Sequence, residues 1–187
     1  MDFDHPSRVE LFIHSLCNSL LAPRVHAAFA RNLGLSGHEQ VLEFGCGGGP
    51  MSPYLAEQLP QGRLTCLDTA DAWLERARKR CADRGNVEFV SDDIREAGVA
   101  KGPYDVIVIH LMLHDVPAGE RPPIVEALID RLAEGGHVHV KEPTKEGHGM
   151  PAGEIDALMN AAGLLKTGEE RSRSIFMGPL YYGVYTA

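Results

Sequence analysis

Short apolar runs alternate along the chain with stretches in which apolar residues recur every three or four positions. The runs are Gln40–Phe44, Arg63–Leu67, Val87–Val90, Tyr104–Ile109 and His137–Lys141, each rich in Val, Ile, Leu or Phe. Runs of this length and composition suit strands of a parallel sheet, buried on both faces. Between them the spacing predicts helices from Pro53 to about Leu59, over Ala70–Arg84 and over Arg121–Leu132. In the second, Trp73, Leu74, Ala77 and Cys81 fall on one stripe, and Asp71 is placed to cap the start. Glu134-Gly135-Gly136 reads as the stop of the third. Strands alternating with helices predict an α/β fold with a mostly parallel sheet and helices on both faces.

The ends of the chain extend this pattern. Pro6–Leu33 reads as one or two helices interrupted at Pro23. After the fifth strand comes a glycine- and proline-containing loop, Glu142–Gly153, then a helix over Glu154–Ala162 stopped by Gly163. Two final strands, around Leu165–Arg171 and Tyr181–Thr186, are expected to join through Gly178-Pro179 as an antiparallel hairpin. The expectation is one domain over residues 1–187, with a helical cap at 1–35 and a seven-stranded core at 36–187.

Composition narrows the function classes. A chain of 187 residues can bury a proper core, and 44% apolar with 24% charged residues is ordinary for a globular protein. The net charge of −8 works against a nucleic-acid partner, because polyanion binding relies on lysine and arginine displacing counterions. Cys17, Cys46, Cys66 and Cys81 form no CxxC pair and no metal-ligand spacing, which fits a reducing compartment. Acids stand where a signal peptide carries its basic region, and no apolar stretch approaches the ~20 residues of a membrane span. A cytoplasmic setting without a membrane span is expected.

The chemistry concentrates after the first strand, in VLEFGCGGGP at residues 41–50. A phosphate-cradling loop needs Lys followed by Ser or Thr after its last glycine, whereas Pro-Met-Ser follows Gly49 here. The dinucleotide pattern GxGxxG fails in both registers, which place Pro50 or Ser52 at the third glycine. What fits is an acid followed by alternating glycines: Glu43, Gly45, Gly47 and Gly49. The bare backbone admits a close ligand, and the acid favours positive charge over pyrophosphate. Two further strands also end in acids. Asp68 stands where a carboxylate can take ribose hydroxyls, and Asp92-Asp93-Ile94 where a carboxylate and an apolar side chain can meet a base.

These segments, with YDVIVIHLMLHDVP and GGHVHVKEP, occur in the order and spacing of class I S-adenosylmethionine-dependent methyltransferases, which the chain resembles over roughly residues 38–143. The resemblance implies a Rossmann-like sheet of seven strands and S-adenosyl-L-methionine as cofactor. It implies that Gly45 and Gly47 line the methionine part, with Glu43 helping to hold its amino end. Asp68, followed by Thr69, would bind the ribose, and Asp93 with Ile94 the adenine. His110 would contribute backbone to the same site.

The methyl acceptor should be met just beyond the fourth strand. There LHDVP is similar to the LHDWP of small-molecule O-methyltransferases, whose histidine acts as general base, so His114 is the candidate catalytic residue. Val116 replaces the tryptophan of that pattern, and Asp115 follows the histidine. His110 and His114 lack a third ligand at suitable spacing, so no metal is expected. His139 reads as a core or helix-facing residue, and Glu142-Pro143 closes the fifth strand, where it either reaches the active-site mouth or stabilises the loop. By the same resemblance His14, Asn18, Arg24, His148, Met150, Arg173 and Tyr181 are candidates for the acceptor pocket or lid. The expected partner is a small-molecule acceptor. The alternative is a non-catalytic S-adenosylmethionine-binding or protein-interaction domain of the same fold.

Overall fold

A computed structural model describes residues 23–96, 98–147, 149–174 and 177–187. The helix expected before Pro23 lies outside the described residues, as do His14, Asn18, Cys17 and His148. The chain divides into two compact units, Met1–Ala100 and Lys101–Ala187. Among the described residues seven strands form a sheet in the order β3-β2-β1-β4-β5-β7-β6. Among the described residues no helix is long and apolar enough to cross a membrane.

The first unit carries α1 (Pro23–Asn32), β1 (Gln40–Phe44), α2 (Ser52–Glu57), β2 (Arg63–Asp68), α3 (Asp71–Arg80) and β3 (Val87–Ser91). The three strands are parallel, and their carboxyl ends are level: Phe44 pairs with Leu67, and Asp68 with Ser91. Val41, Leu42, Leu64, Cys66 and Leu67 are buried to 1% exposure or less, as continuous apolar runs predict. Each such side chain contributes about 1.5–3 kcal/mol on burial. The stripe expected on α3 is also buried, with Trp73, Leu74, Ala77 and Cys81 all inside. Its cap differs from expectation. Asp71 is the first helical residue and makes no cap bond; Asp68 instead accepts from the Ala70 amide at 3.1 Å, one residue pair earlier.

The second unit carries β4 (Tyr104–His110), α4 (Arg121–Ile129), β5 (Leu132–Pro143), α5 (Ala152–Ala161), β6 (Leu165–Ser174) and β7 (Gly178–Thr186). β5 runs parallel to β4 and antiparallel to β7, and β7 runs antiparallel to β6, which gives the expected terminal hairpin. α4 stops at Ile129, so Glu134-Gly135-Gly136 is not its cap. Those residues form an irregularity inside β5: Tyr104 pairs with Leu132 but Val106 with His137. Pairing begins early because the Tyr104 amide donates to the Arg131 carbonyl at 2.8 Å, and Gly135 at φ +70° absorbs the surplus residues. Gly178 and Pro179, expected to join the hairpin strands, are the first residues of β7.

Candidate functional site

In the first unit the site grows from the end of β1. Glu43 is 3% exposed, so its carboxylate has left water and needs donors. Ser52 at the start of α2 supplies a hydroxyl at 2.6 Å, and Cys66 on β2 a thiol at 3.4 Å. Burial, reinforced by the charge of Asp68 and partly offset by these two bonds, pushes the Glu43 carboxyl up to about 7. The glycines then turn the chain with left-handed backbone, at φ +65° for Gly45, +54° for Gly47 and +68° for Gly49. They serve different ends. A side chain on Gly47 would meet no atom within 4 Å, so this residue opens a bare backbone face. A Cβ on Gly49 would lie 2.8 Å from Ala77, so that glycine exists to seat the loop against α3.

Asp68 closes the loop from the side. Its Oδ2 accepts from the Gly47 amide at 2.8 Å while Oδ1 accepts from Ala70. The carboxylate thus ties the glycine turn to the start of α3, with Thr69 lying between its two anchors. At the end of β3, Asp93 is one-third exposed and is gripped by Arg95, whose Nε donates at 3.0 Å and Nη2 at 2.5 Å. That hydrogen-bonded guanidinium holds the Asp93 carboxyl below its ordinary value. Ile94 beside it is buried at 1% exposure, and Asp92 is exposed, with one oxygen accepting from the Asp93 amide. The structure therefore brings Glu43, Gly47, Asp68 and the Asp93–Ile94 pair to one end of three adjacent strands. Carboxylate acceptors, open glycine backbone and an apolar residue are the groups that a nucleoside with hydroxyls, an exocyclic amine and a cationic tail requires. A cavity of about 350 Å³ opens at the opposite ends of these strands, where Gln40 and Arg63 begin β1 and β2, and no carboxylate is among its described lining residues.

In the second unit the site forms where β4 ends. His110 pairs with Lys141 of β5, and the next residue, Leu111, takes φ +57°. A leucine in the left-handed region is strained, and it is held there by a 2.8 Å bond from its amide to the Lys141 carbonyl. The turn delivers Leu113–Asp115 as one short 3-10 helix. Glu142, fully buried at the end of β5, organises it. Oε1 accepts from the amides of Met112 at 3.0 Å and Leu113 at 2.7 Å, and Oε2 lies 2.6 Å from His114 Nδ1. The other ring nitrogen, Nε2, is 3.6 Å from Asp115. Burial on its own would lower the pKa of His114. The hydrogen bond and charge of Glu142, with Asp115, outweigh that and leave it above the ordinary histidine value.

Arg121 of α4 fastens the turn from outside, donating to the Val116 and His114 carbonyls and pairing with Glu154 of α5 at 2.5 Å. The local sequence pointed to His114 and to the strand-end acids. Ser52, Arg95, Glu142 and Arg121 were not singled out as partners. Glu142 lies 28 residues from His114, and only the register of β5 beside β4 makes them neighbours. Of the other candidates, His139 is buried on β5, bonded to the Tyr182 hydroxyl at 2.7 Å and pushed down to about 4 by burial and by His137. Met150 is buried, Arg24 and Arg173 are exposed, and the Tyr181 hydroxyl is bound to Asp156 and Tyr185. Cys46, Cys66 and Cys81 are buried free thiols.

Known proteins share this fold. The chain is 29% identical over 111 residues to trans-aconitate 2-methyltransferase of Deinococcus radiodurans, an overlap covering 59% of this chain and 40% of that protein. It spans less than half the length of the curated relatives it matches. Among solved structures it shares its fold with the N-methyltransferase NodS from Bradyrhizobium japonicum, solved with S-adenosyl-L-homocysteine. That likeness has a TM-score of 0.72 at 20% identity, over 87% of this chain and 86% of that one. The [4+2]-cyclase SpnF shares the fold too, at a TM-score of 0.75 and 15% identity over 88% of this chain and 81% of that one. A family model described as a methyltransferase domain matches residues 41–136, more than half of the 187 residues and every strand from β1 to β4 with its following turn. The chain belongs to the methyltransferase-domain family.

Proposed function

We propose that the protein is an S-adenosylmethionine-dependent methyltransferase acting on an oxygen of a small-molecule acceptor, with His114 as general base. The observation that carries the acceptor half of this reading is the 2.6 Å contact between His114 Nδ1 and the fully buried Glu142. With Glu142 as the acceptor of this bond, Nδ1 carries the proton and the lone pair sits on Nε2. Glu142 cannot turn away, because its other oxygen is held by two backbone amides. Nε2 can then take the acceptor hydroxyl proton, and the imidazolium so formed lies against Glu142 and Asp115. A positioned base of this kind is worth about 10²–10⁴ in rate.

Gly45, Gly47, Asp68, Thr69, Asp93 and Ile94 would hold the cofactor, with Glu43 beneath the loop. S-adenosylmethionine, when bound, supplies a methyl group on a sulfonium. The chain's own residues hold the loop open at Gly47, fix it through Asp68 and keep the base in one orientation. The D. radiodurans relative, named for trans-aconitate, supports a small acceptor.

A second reading has a specific observation behind it. The likeness to the cyclase SpnF means that this fold also hosts chemistry other than methyl transfer. Calorimetry with S-adenosylmethionine and S-adenosylhomocysteine, followed by a methyl-transfer screen over alcohols, phenols, carboxylates, amines and thiols, separates the two. Binding with transfer to an oxygen acceptor supports the proposal. Binding without transfer to any class favours a non-methylating use of the site, and absence of binding removes the cofactor from the reading.

A further inference from the structure

Resting on the methyltransferase reading, we propose that a cavity in the second unit is the subsite for a carboxylate carried by the acceptor. It starts from a row of three residues across the sheet. Glu142 on β5 pairs with Tyr181 on β7, and Tyr181 pairs with Arg171 on β6. Directly paired residues on antiparallel strands point to the same face, so the residue that orients His114 shares a face with Arg171. With strands about 4.8 Å apart, Arg171 stands about 10 Å along the row from Glu142.

A cavity of about 130 Å³ opens over this row, lined by Thr144, Arg171, Ser172, Leu180 and Tyr181, with Ala152 of α5 at one side. By ~30 Å³ per water it holds the volume of about four waters, enough for a carboxylate and a short carbon stem. Its cationic group is the Arg171 guanidinium; the Thr144 hydroxyl donates to the Pro179 carbonyl at 3.4 Å, and no acidic side chain is among the described lining residues. The Tyr181 hydroxyl is engaged by Asp156 and Tyr185, so that residue offers the cavity its ring. Arg171 Nε lies 3.5 Å from Glu169 Oε1, while the other oxygen of Glu169 accepts from Lys166 at 2.7 Å. The arginine thus keeps donors for a planar anion, the geometry that a guanidinium fork reads best. The acceptor class that follows is a hydroxy acid whose carboxylate is held by Arg171.

The test is a titration of the full chain, loaded with S-adenosylhomocysteine, by acetate and by its neutral isostere acetamide, followed by nitrogen-15 NMR. Acetate should shift the amides of Thr144, Ser172 and Leu180 and bind about tenfold more tightly than acetamide. Arg171→Gln should abolish that preference without changing S-adenosylhomocysteine affinity, and Arg171→Lys should restore part of it. Equal binding of the two probes overturns the subsite, as does a preference that survives in Arg171→Gln or shifts confined to other parts of the chain. Failure of S-adenosylhomocysteine to bind would instead strike the methyltransferase reading. The same titration on the unloaded chain then still decides the subsite.

Discussion

His114 is placed where its protonation state decides its use. Its pKa stands above the ordinary value because Glu142 and Asp115 outweigh the cost of burial. A base works only when neutral, so turnover should rise with pH through a pKa above about 6.5. Glu142→Gln removes the charge that raises this pKa and should move the limb toward acid, whereas His114→Ala should erase it and lower turnover about 10²–10⁴-fold. A pH–rate profile of the three proteins checks this. An unmoved limb in Glu142→Gln would show that the pair does not govern the reaction. Glu43 makes a separate statement, about stability. Its carboxyl is pushed from an ordinary 4.5 to about 7 by burial, so the folded chain holds a proton that the unfolded chain has released. The sign follows: stability is greatest below about 4.5 and falls as pH rises to about 7, by about 3 kcal/mol over the window. Glu43→Gln, always neutral, should flatten this dependence in urea melts at several pH values. At the residue scale the strand-end acids and the histidine were legible because each sits beside a recognisable local signal. Glu142 as the partner of His114 was not, since nothing within four residues of either one announces the other.

Elements were read well where one local pattern determined them and poorly where two strands had to agree. β1 matches its apolar run residue for residue, and the buried stripe of α3 is the one that its spacing predicted. The start of α3 was misassigned because Asp71 is the first helical residue, and the aspartate that bonds backbone there is Asp68, three residues before the helix, through the Ala70 amide. Glu134-Gly135-Gly136 looked like a helix stop because a glycine at positive φ ends helices and relieves strand irregularities alike. The glycine turn is where element packing meets function. Gly49→Ala forces a methyl group to within 2.8 Å of Ala77 and asks alanine to adopt φ +68°. Overpacking and left-handed backbone each cost about 1–3 kcal/mol, so the variant should melt clearly below the parent and lose cofactor affinity with it. Gly47→Ala meets open space and should cost only the backbone penalty of about 1–2 kcal/mol. If the two variants melt alike, packing of the loop on α3 is not what Gly49 provides.

At the scale of the whole molecule, the order of strands and acids identified the family before any single residue could identify a reaction. Three strand-end acids and an alternating glycine turn form a pattern that short local motifs do not reproduce by chance, and the sheet carries them to one edge. Acceptor choice is less legible. The proposed carboxylate subsite draws its residues from the end of β5, from β6 and β7 and from α5, which no local pattern in the sequence joins. Binding of the cofactor should nevertheless be visible in the stability of the whole chain. A ligand that binds the folded form alone at 100 times its dissociation constant stabilises by about 2.7 kcal/mol. For a chain of this size each kcal/mol moves the midpoint by about 2–4 °C, so S-adenosylmethionine should raise Tm by about 5–10 °C. NAD, with its pyrophosphate, should raise it little, since Pro50 breaks the dinucleotide pattern and the buried Glu43 carboxylate lies beneath the turn. Asp68→Ala should reduce the shift produced by S-adenosylmethionine. A Tm shift from NAD as large as that from S-adenosylmethionine would reassign the glycine turn to a dinucleotide and with it the reaction.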